Sequence, residues 1–190
     1  MTQIKIIRYL IENNSQKFTI REISKNLDIA YKIVYEIIQK LNEENLIIKT
    51  KVGASSQIQF NKKLNYKVFQ AENQRREDLF KNKNFKIIYN ILKEIESPLF
   101  IALLFGSYVK KTNSNNSDID LCVICDDEKT IKNINSKLKL LPLEIDLNEF
   151  STQEFKSMIK TNEFNVGHEI VKNNIILVGI ENYYNLIKNG

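Results

Sequence analysis

The chain has one histidine, two cysteines and no tryptophan in 190 residues. His168, Cys122 and Cys125 fall short of the four His/Cys ligands that a structural zinc site takes. The cysteines do stand at C-x-x-C spacing, which invites a redox reading. They lie in Leu121-Cys-Val-Ile-Cys, however, an apolar run that reads as a strand, where positions three apart face opposite sides. Both are expected as small buried apolar residues. Long hydrophobic runs are absent as well. The longest uncharged apolar stretch, Pro98 to Val109, is too short to span a bilayer and reads as a buried strand. The first ten residues hold Lys5 and Arg8 and lack an apolar core followed by a small-residue cleavage site. No membrane partner and a cytoplasmic location are expected. There is no internal repeat and no low-complexity linker. With two prolines and five glycines in all, Pro98, Gly53 and Gly106 stand out as punctuation.

What is present is an ordinary globular composition, 27% charged and 43% apolar, long enough for one large domain or two small ones. The charge is uneven. Residues 1–98 carry 18 Lys and Arg against 11 Asp and Glu, and residues 99–190 carry 10 against 12. A basic front half is suited to a polyanion, or is simply a soluble basic surface.

In the front half Ile4, Ile7, Leu10 and Ile11 fall at helical spacing, and Asn13-Asn-Ser15 ends the pattern. Thr19-Ile-Arg-Glu22 is a capping box, with the Thr hydroxyl accepting from an early helix N–H and the Glu reaching back. A short helix follows to about Asn26. A longer one runs from about Ala30 to Glu44, with Ile33, Val34, Ile37, Ile38 and Leu41 inward and Asn45 ending it in the left-handed conformation. Leu46 to Val52, Gly53-Ala-Ser-Ser and Gln57-Ile-Gln-Phe60 read as strand, turn and returning strand. The pattern over residues 1–65 resembles a winged helix-turn-helix. Tyr31, Lys32, Tyr35 and Gln39 would then lie on the exposed side of the longer helix, facing a DNA major groove, while Lys49, Lys51, Ser55 and Ser56 meet phosphates. The rival reading is a wing that contacts protein, because recognition helices usually carry more Arg or Lys than this one.

Residues 66–97 read as connecting helices. Ile88, Ile91, Leu92 and Ile95 share a stripe, Arg75-Arg76 sit in a polar stretch, and Ser97-Pro98 stops the helix. From there strand and helix alternate: strands at 99–105, 119–125 and 142–149, helices from 107 and over 127–138, then C-terminal helices with a short strand near 175–178. Asp126-Asp-Glu128 falls at a helix start, where negative charge caps. His168 and Tyr183-Tyr184 read as packing or surface residues.

The chemistry is concentrated in Leu104-Phe-Gly106-Ser107-Tyr-Val-Lys110-Lys111-Thr-Asn-Ser-Asn-Asn-Ser117-Asp118-Ile-Asp120-Leu. Asp118 and Asp120 are two apart at the start of an apolar strand, so both side chains leave one face. Two carboxylates at about 4 Å repel by roughly 1 kcal/mol in water and about 4 kcal/mol at an effective dielectric near 20. Only a cation between them makes that arrangement favourable, and hard oxygen ligands with room for water and phosphate suit Mg²⁺. Gly106 lets a phosphate approach the backbone, and a helix starting at Ser107 offers free N–H groups. The Ser107 hydroxyl adds a donor, and Lys110 or Lys111 adds positive charge. A nucleoside triphosphate needs a phosphate cradle and a divalent-metal site at once.

Gly-Ser, ten intervening residues and Asp-x-Asp resemble the signature of the DNA polymerase beta-like nucleotidyltransferases, most closely the minimal branch with its small prokaryotic members. The resemblance covers about residues 98–190. It implies an α+β fold class, a winged helix-turn-helix followed by a nucleotidyltransferase domain with a mixed sheet flanked by helices. The domains would be 1–65, 66–97 as connecting helices, and 98–190. It also implies a third carboxylate on a neighbouring strand. Glu144 and Asp146 share strand parity, so spacing does not choose between them; the family's apolar-Asp-apolar context favours Asp146. Asp118, Asp120 and Asp146 would then be the catalytic and metal-binding set for two Mg²⁺ ions, with Mn²⁺ as a substitute. Gly106, Ser107, Lys110, Lys111 and Ser117 would hold ATP or another NTP. Lys111 stands where the family usually has a small residue, often Gly, and Lys110 where it often has Arg, which loses bidentate geometry.

The function expected is transfer of a nucleoside monophosphate, AMP from ATP, to a hydroxyl. Relatives in this branch include antitoxins that modify a tyrosine of a HEPN-type helical toxin, so a protein acceptor is expected by resemblance, with an RNA 3′ end as another. The competing reading is a winged-helix transcription regulator whose back domain senses nucleotide or dimerises without turnover. Both readings accommodate double-stranded DNA as a partner and a homodimer.

Overall fold

The structure, a computed structural model, describes residues 1–53, 55–95, 100–114 and 117–188. Ala54 of the expected turn, the Ser97-Pro98 helix stop, the first residue of the expected strand at 99, and Asn115-Asn116 lie outside the described residues. The chain divides into two compact units, Met1–Ala71 and Glu72–Gly190.

The first unit contains α1 (Thr2–Glu12), β1 (Phe18–Thr19), α2 (Ile20–Leu27), α3 (Tyr31–Glu43), β2 (Ile47–Val52) and β3 (Ser55–Phe60). Both halves of the Thr19–Glu22 capping box form at the start of α2. Val34, Ile38 and Leu41 are the buried stripe of α3. Ile33 was expected beside them but is 46% exposed. At about 100° per residue it lies on the flank of a stripe set by the i, i+4, i+7 positions. Asn45 takes φ +56° and ends the helix, with the Leu46 N–H donating to the Leu41 carbonyl. β2 and β3 pair antiparallel from Ile47↔Phe60 to Val52↔Ser55. The two-residue β1, too short to announce itself by alternation, joins the far edge of β3.

The helix α4 (Tyr66–Leu79) carries the boundary between the units. The second unit continues through α5 (Lys83–Lys93), β4 (Ile101–Leu104), α6 (Gly106–Lys110), β5 (Ile119–Ile124), α7 (Glu128–Leu138), β6 (Ile145–Phe150), α8 (Thr152–Lys160), α9 (Val166–Lys172), β7 (Ile175–Val178) and α10 (Ile180–Lys188). Its sheet is mixed, in the order β6-β5-β4-β7, with only β5 and β6 parallel. Ala102, Leu104, Ile119, Leu121 and Val123 on one face pack with Phe85, Ile88 and Leu92 of α5 and Ile134 and Leu138 of α7. Alternation therefore sends Asp120, Cys122 and Ile124 to the opposite face. Both cysteines are buried and free.

Arg75, expected in a polar stretch, is buried. It pairs with Glu72 at 2.6 Å and donates to the Asn174 carbonyl. Tyr184 Oη donates to Glu72 at 2.7 Å, and Asn174 Nδ2 donates to Tyr183 Oη at 2.7 Å. This network, tying α4 to α10 and the loop before β7, accounts for the tyrosine pair. Among the described residues no helix is long and apolar enough to cross a membrane.

Candidate active site

The parallel pairing of β5 and β6 sets the site. Asp120 and Asp146 are direct register partners, flanked by Ile119↔Ile145 and Leu121↔Leu147. Register partners in neighbouring strands project to the same side of the sheet. Asp118 lies two residues before Asp120 and shares its parity. Glu144 lies before the first residue of β6, where its carbonyl accepts from the Ile119 N–H at 2.9 Å. Asp146 is thus the acidic residue opposite Asp120, and Glu144 is one step removed towards the entrance of the strand pair. Asn148 Nδ2 donates to Asp146 Oδ2 at 3.4 Å.

Gly106 follows β4 with φ +68°. A Cβ built on it would overlap the Asp120 carboxylate and come within 2.9 Å of Asp120 Cβ. The backbone of residues 105–107 therefore wraps the aspartate. The Phe105 N–H donates to the Asp120 carbonyl at 3.0 Å, and the Ser107 N–H donates to its carboxylate. Ser107 was expected to lead a helix. The helix is only Gly106–Lys110, barely more than one turn. It ends because Lys111 turns left-handed at φ +58°, with the Thr112 N–H donating to the Ser107 carbonyl. The N–H and hydroxyl groups next to the aspartates, more than any long-helix dipole, are what this turn presents to an anion.

Burial raises the Asp120 carboxyl above the ordinary carboxylate range; the Ser107 N–H opposes this, and the charges of Asp146, Glu169 and Asp118 add to the rise. Four carboxylates thus share one neighbourhood. Lys110 supplies a cation there, its Nζ forming an ion pair with Glu169 of α9. Lys111 is exposed. Ser117 is turned into its own loop, its Oγ accepting from the Ser114 N–H at 2.8 Å and its carbonyl accepting from Tyr108 Oη at 3.1 Å. Tyr108 in turn packs edge-on against Phe85.

Among the described residues, no three His, Cys, Asp or Glu side chains are gathered into a set that encloses a metal ion. The donor chemistry of Asp118, Asp120 and Asp146 is nonetheless that of a hard divalent cation. All are carboxylates, they share a face, and their mutual repulsion is what a cation would relieve.

In the first unit, Tyr31, Tyr35, Lys49, Ser55 and Ser56 line one groove of about 820 Å³, together with Arg21, Ser24 and Lys25 of α2. Three cations and no acidic side chain line it. The Tyr31 and Tyr35 rings are near-parallel, 6.4 Å apart. Lys32 and Lys51 are exposed, whereas Gln39, expected on the exposed side, is half-buried with Nε2 buried and unbonded. Arg21 and Lys25 were missed, although their i, i+4 spacing on the polar side of α2 was visible. Glu169 carried no comparable signal. Asp127 caps α7 through Thr130 and Asp126 accepts from the Thr152 N–H at 2.7 Å, so both have structural partners. His168 lies in the first turn of α9, its N–H donating to the capping Asn165 side chain at 3.2 Å.

No curated protein matches the chain at a significant level. Among solved structures, one similar chain, described as "Crystal structure of the toxin-antitoxin with AMP-PNP", is 26% identical. The match covers 57% of this chain and 83% of that one, with a TM-score of 0.37. Residues 86–179 match the family model "Polymerase beta, Nucleotidyltransferase". Gly106, Ser107 and all four carboxylates lie within that span, and this part of the chain is a polymerase beta nucleotidyltransferase domain.

Proposed function

We propose that the protein is a divalent-metal-dependent nucleotidyltransferase that moves AMP from ATP to a hydroxyl acceptor. The observation that carries this reading is the register pairing of Asp120 with Asp146 beside the Gly106–Ser107 turn. Bound Mg²⁺, or Mn²⁺ in its place, would be held by Asp118, Asp120 and Asp146 and would supply Lewis-acid stabilisation of the phosphoryl charge. Gly106 lets the Asp120 carboxylate lie against the backbone of the turn, the Ser107 hydroxyl donates to a phosphate beside it, and Lys110 adds positive charge. Asp146 accepts the proton of the acceptor hydroxyl at Oδ1. The acceptor oxygen then forms a bond to the α-phosphorus, the bond from that phosphorus to the β-bridging oxygen breaks, and pyrophosphate leaves with the electron pair.

The acceptor we favour is a tyrosine hydroxyl on a helical partner of the HEPN toxin type, from the resemblance of the Gly106–Asp120 run to the minimal branch. Incubation of the protein with α-labelled ATP, Mg²⁺ and the product of the adjacent gene tests this. Label should appear on that partner and be lost with Asp118→Ala/Asp120→Ala. Labelled RNA in place of protein would reassign the acceptor, and label transfer unaffected by the double variant would remove the site.

The groove of the first unit favours a second role, double-stranded DNA binding by a winged helix-turn-helix. On the alternative reading, a regulator that senses nucleotide without turnover, DNA binding persists in Asp118→Ala/Asp120→Ala and no label is transferred by any form.

A further inference from the structure

Lys110 and Glu169 lie 59 positions apart in sequence and meet as an ion pair beside the carboxylates. α6 places Lys110 one helical turn after Ser107, so the two side chains share a face of that turn. α9 delivers Glu169 to the same place from the other end of the domain, held by the Asn165 cap and by Ile170, which is fully buried. Glu169 sits on the more rigid partner. Its side chain is 28% exposed against 41% for Lys110, and its helix is pinned on both sides of it.

A lysine ammonium has three donors on a flexible four-carbon stem. Left alone, Lys110 would sample solvent, and the entropy of ordering it would be lost on each binding event. One donor given to Glu169 fixes the nitrogen beside the Gly106–Ser107 turn and leaves two donors for phosphate oxygens. We infer that Glu169 is a positioning residue which, through Lys110, holds the ammonium ready for the triphosphate; this deepens the nucleotidyltransferase reading and rests on it. A negative charge beside an anion-binding site is otherwise unfavourable, since it repels the phosphates. Positioning through Lys110 and simple electrostatics therefore give opposite signs for the removal of Glu169.

The test is a double-variant cycle on the full chain, with Mg-ATP affinity read by calorimetry and folding by thermal denaturation. Glu169→Ala should weaken Mg-ATP binding about three- to fivefold, the scale of a part-exposed ion pair. Glu169→Gln, which keeps an acceptor oxygen, should recover part of the loss. In a Lys110→Met background, Glu169→Ala should no longer weaken binding. All variants should melt close to the wild type. Tighter binding on Glu169→Ala, or an equal loss in the Lys110→Met background, overturns the inference while leaving the nucleotidyltransferase reading intact. A wild type that binds no Mg-ATP overturns both.

Discussion

Gly106 and Asp120 occupy a space that admits only one side chain between them: a Cβ on residue 106 would overlap the Asp120 carboxylate. The left-handed backbone at Gly106, φ +68°, costs about 1–2 kcal/mol for any other L-residue. Gly106→Ala should therefore lower the thermal midpoint and abolish nucleotide binding by displacing Asp120. Calorimetric scanning with and without Mg-ATP checks both; a variant that melts and binds like the wild type contradicts the packing described.

Asp120 itself is destabilising where it stands. Burial opposes its charge first, and Asp146, Glu169 and Asp118 repel it. Asp120→Asn keeps an acceptor for the Ser107 N–H and removes the charge, so it should raise the thermal midpoint at neutral pH while eliminating label transfer. A fall in the midpoint would contradict a carboxylate held at a net cost in this position.

Lys111 holds φ +58°, a conformation in which glycine relieves strain. Lys111→Gly should stabilise the protein by up to about 1 kcal/mol, or roughly 2–4 °C for a protein of this size. The family resemblance points to a small residue at the same position, and the backbone supplies the reason. Loss of stability on this substitution would show that the lysine side chain makes a compensating contact.

The Thr19–Glu22 capping box gives a pH signature. Hydrogen bonds from the Thr19 backbone and then its hydroxyl lower the Glu22 carboxyl below its ordinary 4.5. A depressed carboxyl contributes stability that is full above its unfolded value and is lost as pH falls through the folded one. Glu22→Gln should thus melt below the wild type at pH 7, with the gap closing in acid below about pH 4.5. Thermal melts across that range check it; a gap independent of pH contradicts the charged cap.

Arg21, Lys25 and Lys49 line a groove without an acidic side chain. If the groove meets duplex phosphates, each Lys→Ala change should weaken DNA binding at all sequences and reduce the slope of log affinity against log salt by about one. No affinity in the wild-type chain at low salt would remove the DNA role.

Much of this arrangement was legible in the sequence because it is local. The parity of Asp118 and Asp120 follows from a spacing of two, the α2 cap from a spacing of three, the buried β4 from an uninterrupted apolar run, and β5 from the apolar residues that follow Asp120. Ile33 shows where local reading stops. Five apolar residues fit a helical face, yet only the neighbouring helix and sheet decide which three are covered. Parity alone leaves Glu144 and Asp146 equivalent; the family context favours Asp146, and the β5–β6 register, invisible to spacing, sets Asp146 opposite Asp120. Lys110 with Glu169 is a tertiary pair of charged residues, and the i, i+3 pair Glu72–Arg75 is buried only by what packs over its helix. In sequence Glu72, Arg75 and Glu169 are indistinguishable from solvated surface, because what sets them apart is what the fold brings against them.

The central geometry is tested most directly by a crystal structure of the protein with Mg²⁺ and an ATP analogue whose α,β-bridge resists cleavage. The account predicts the triphosphate against Gly106 and Ser107, with cations held between it and the carboxylates of Asp118, Asp120 and Asp146. A nucleotide bound elsewhere, or one seated at that turn with the three carboxylates still apart and no cation among them, would contradict it.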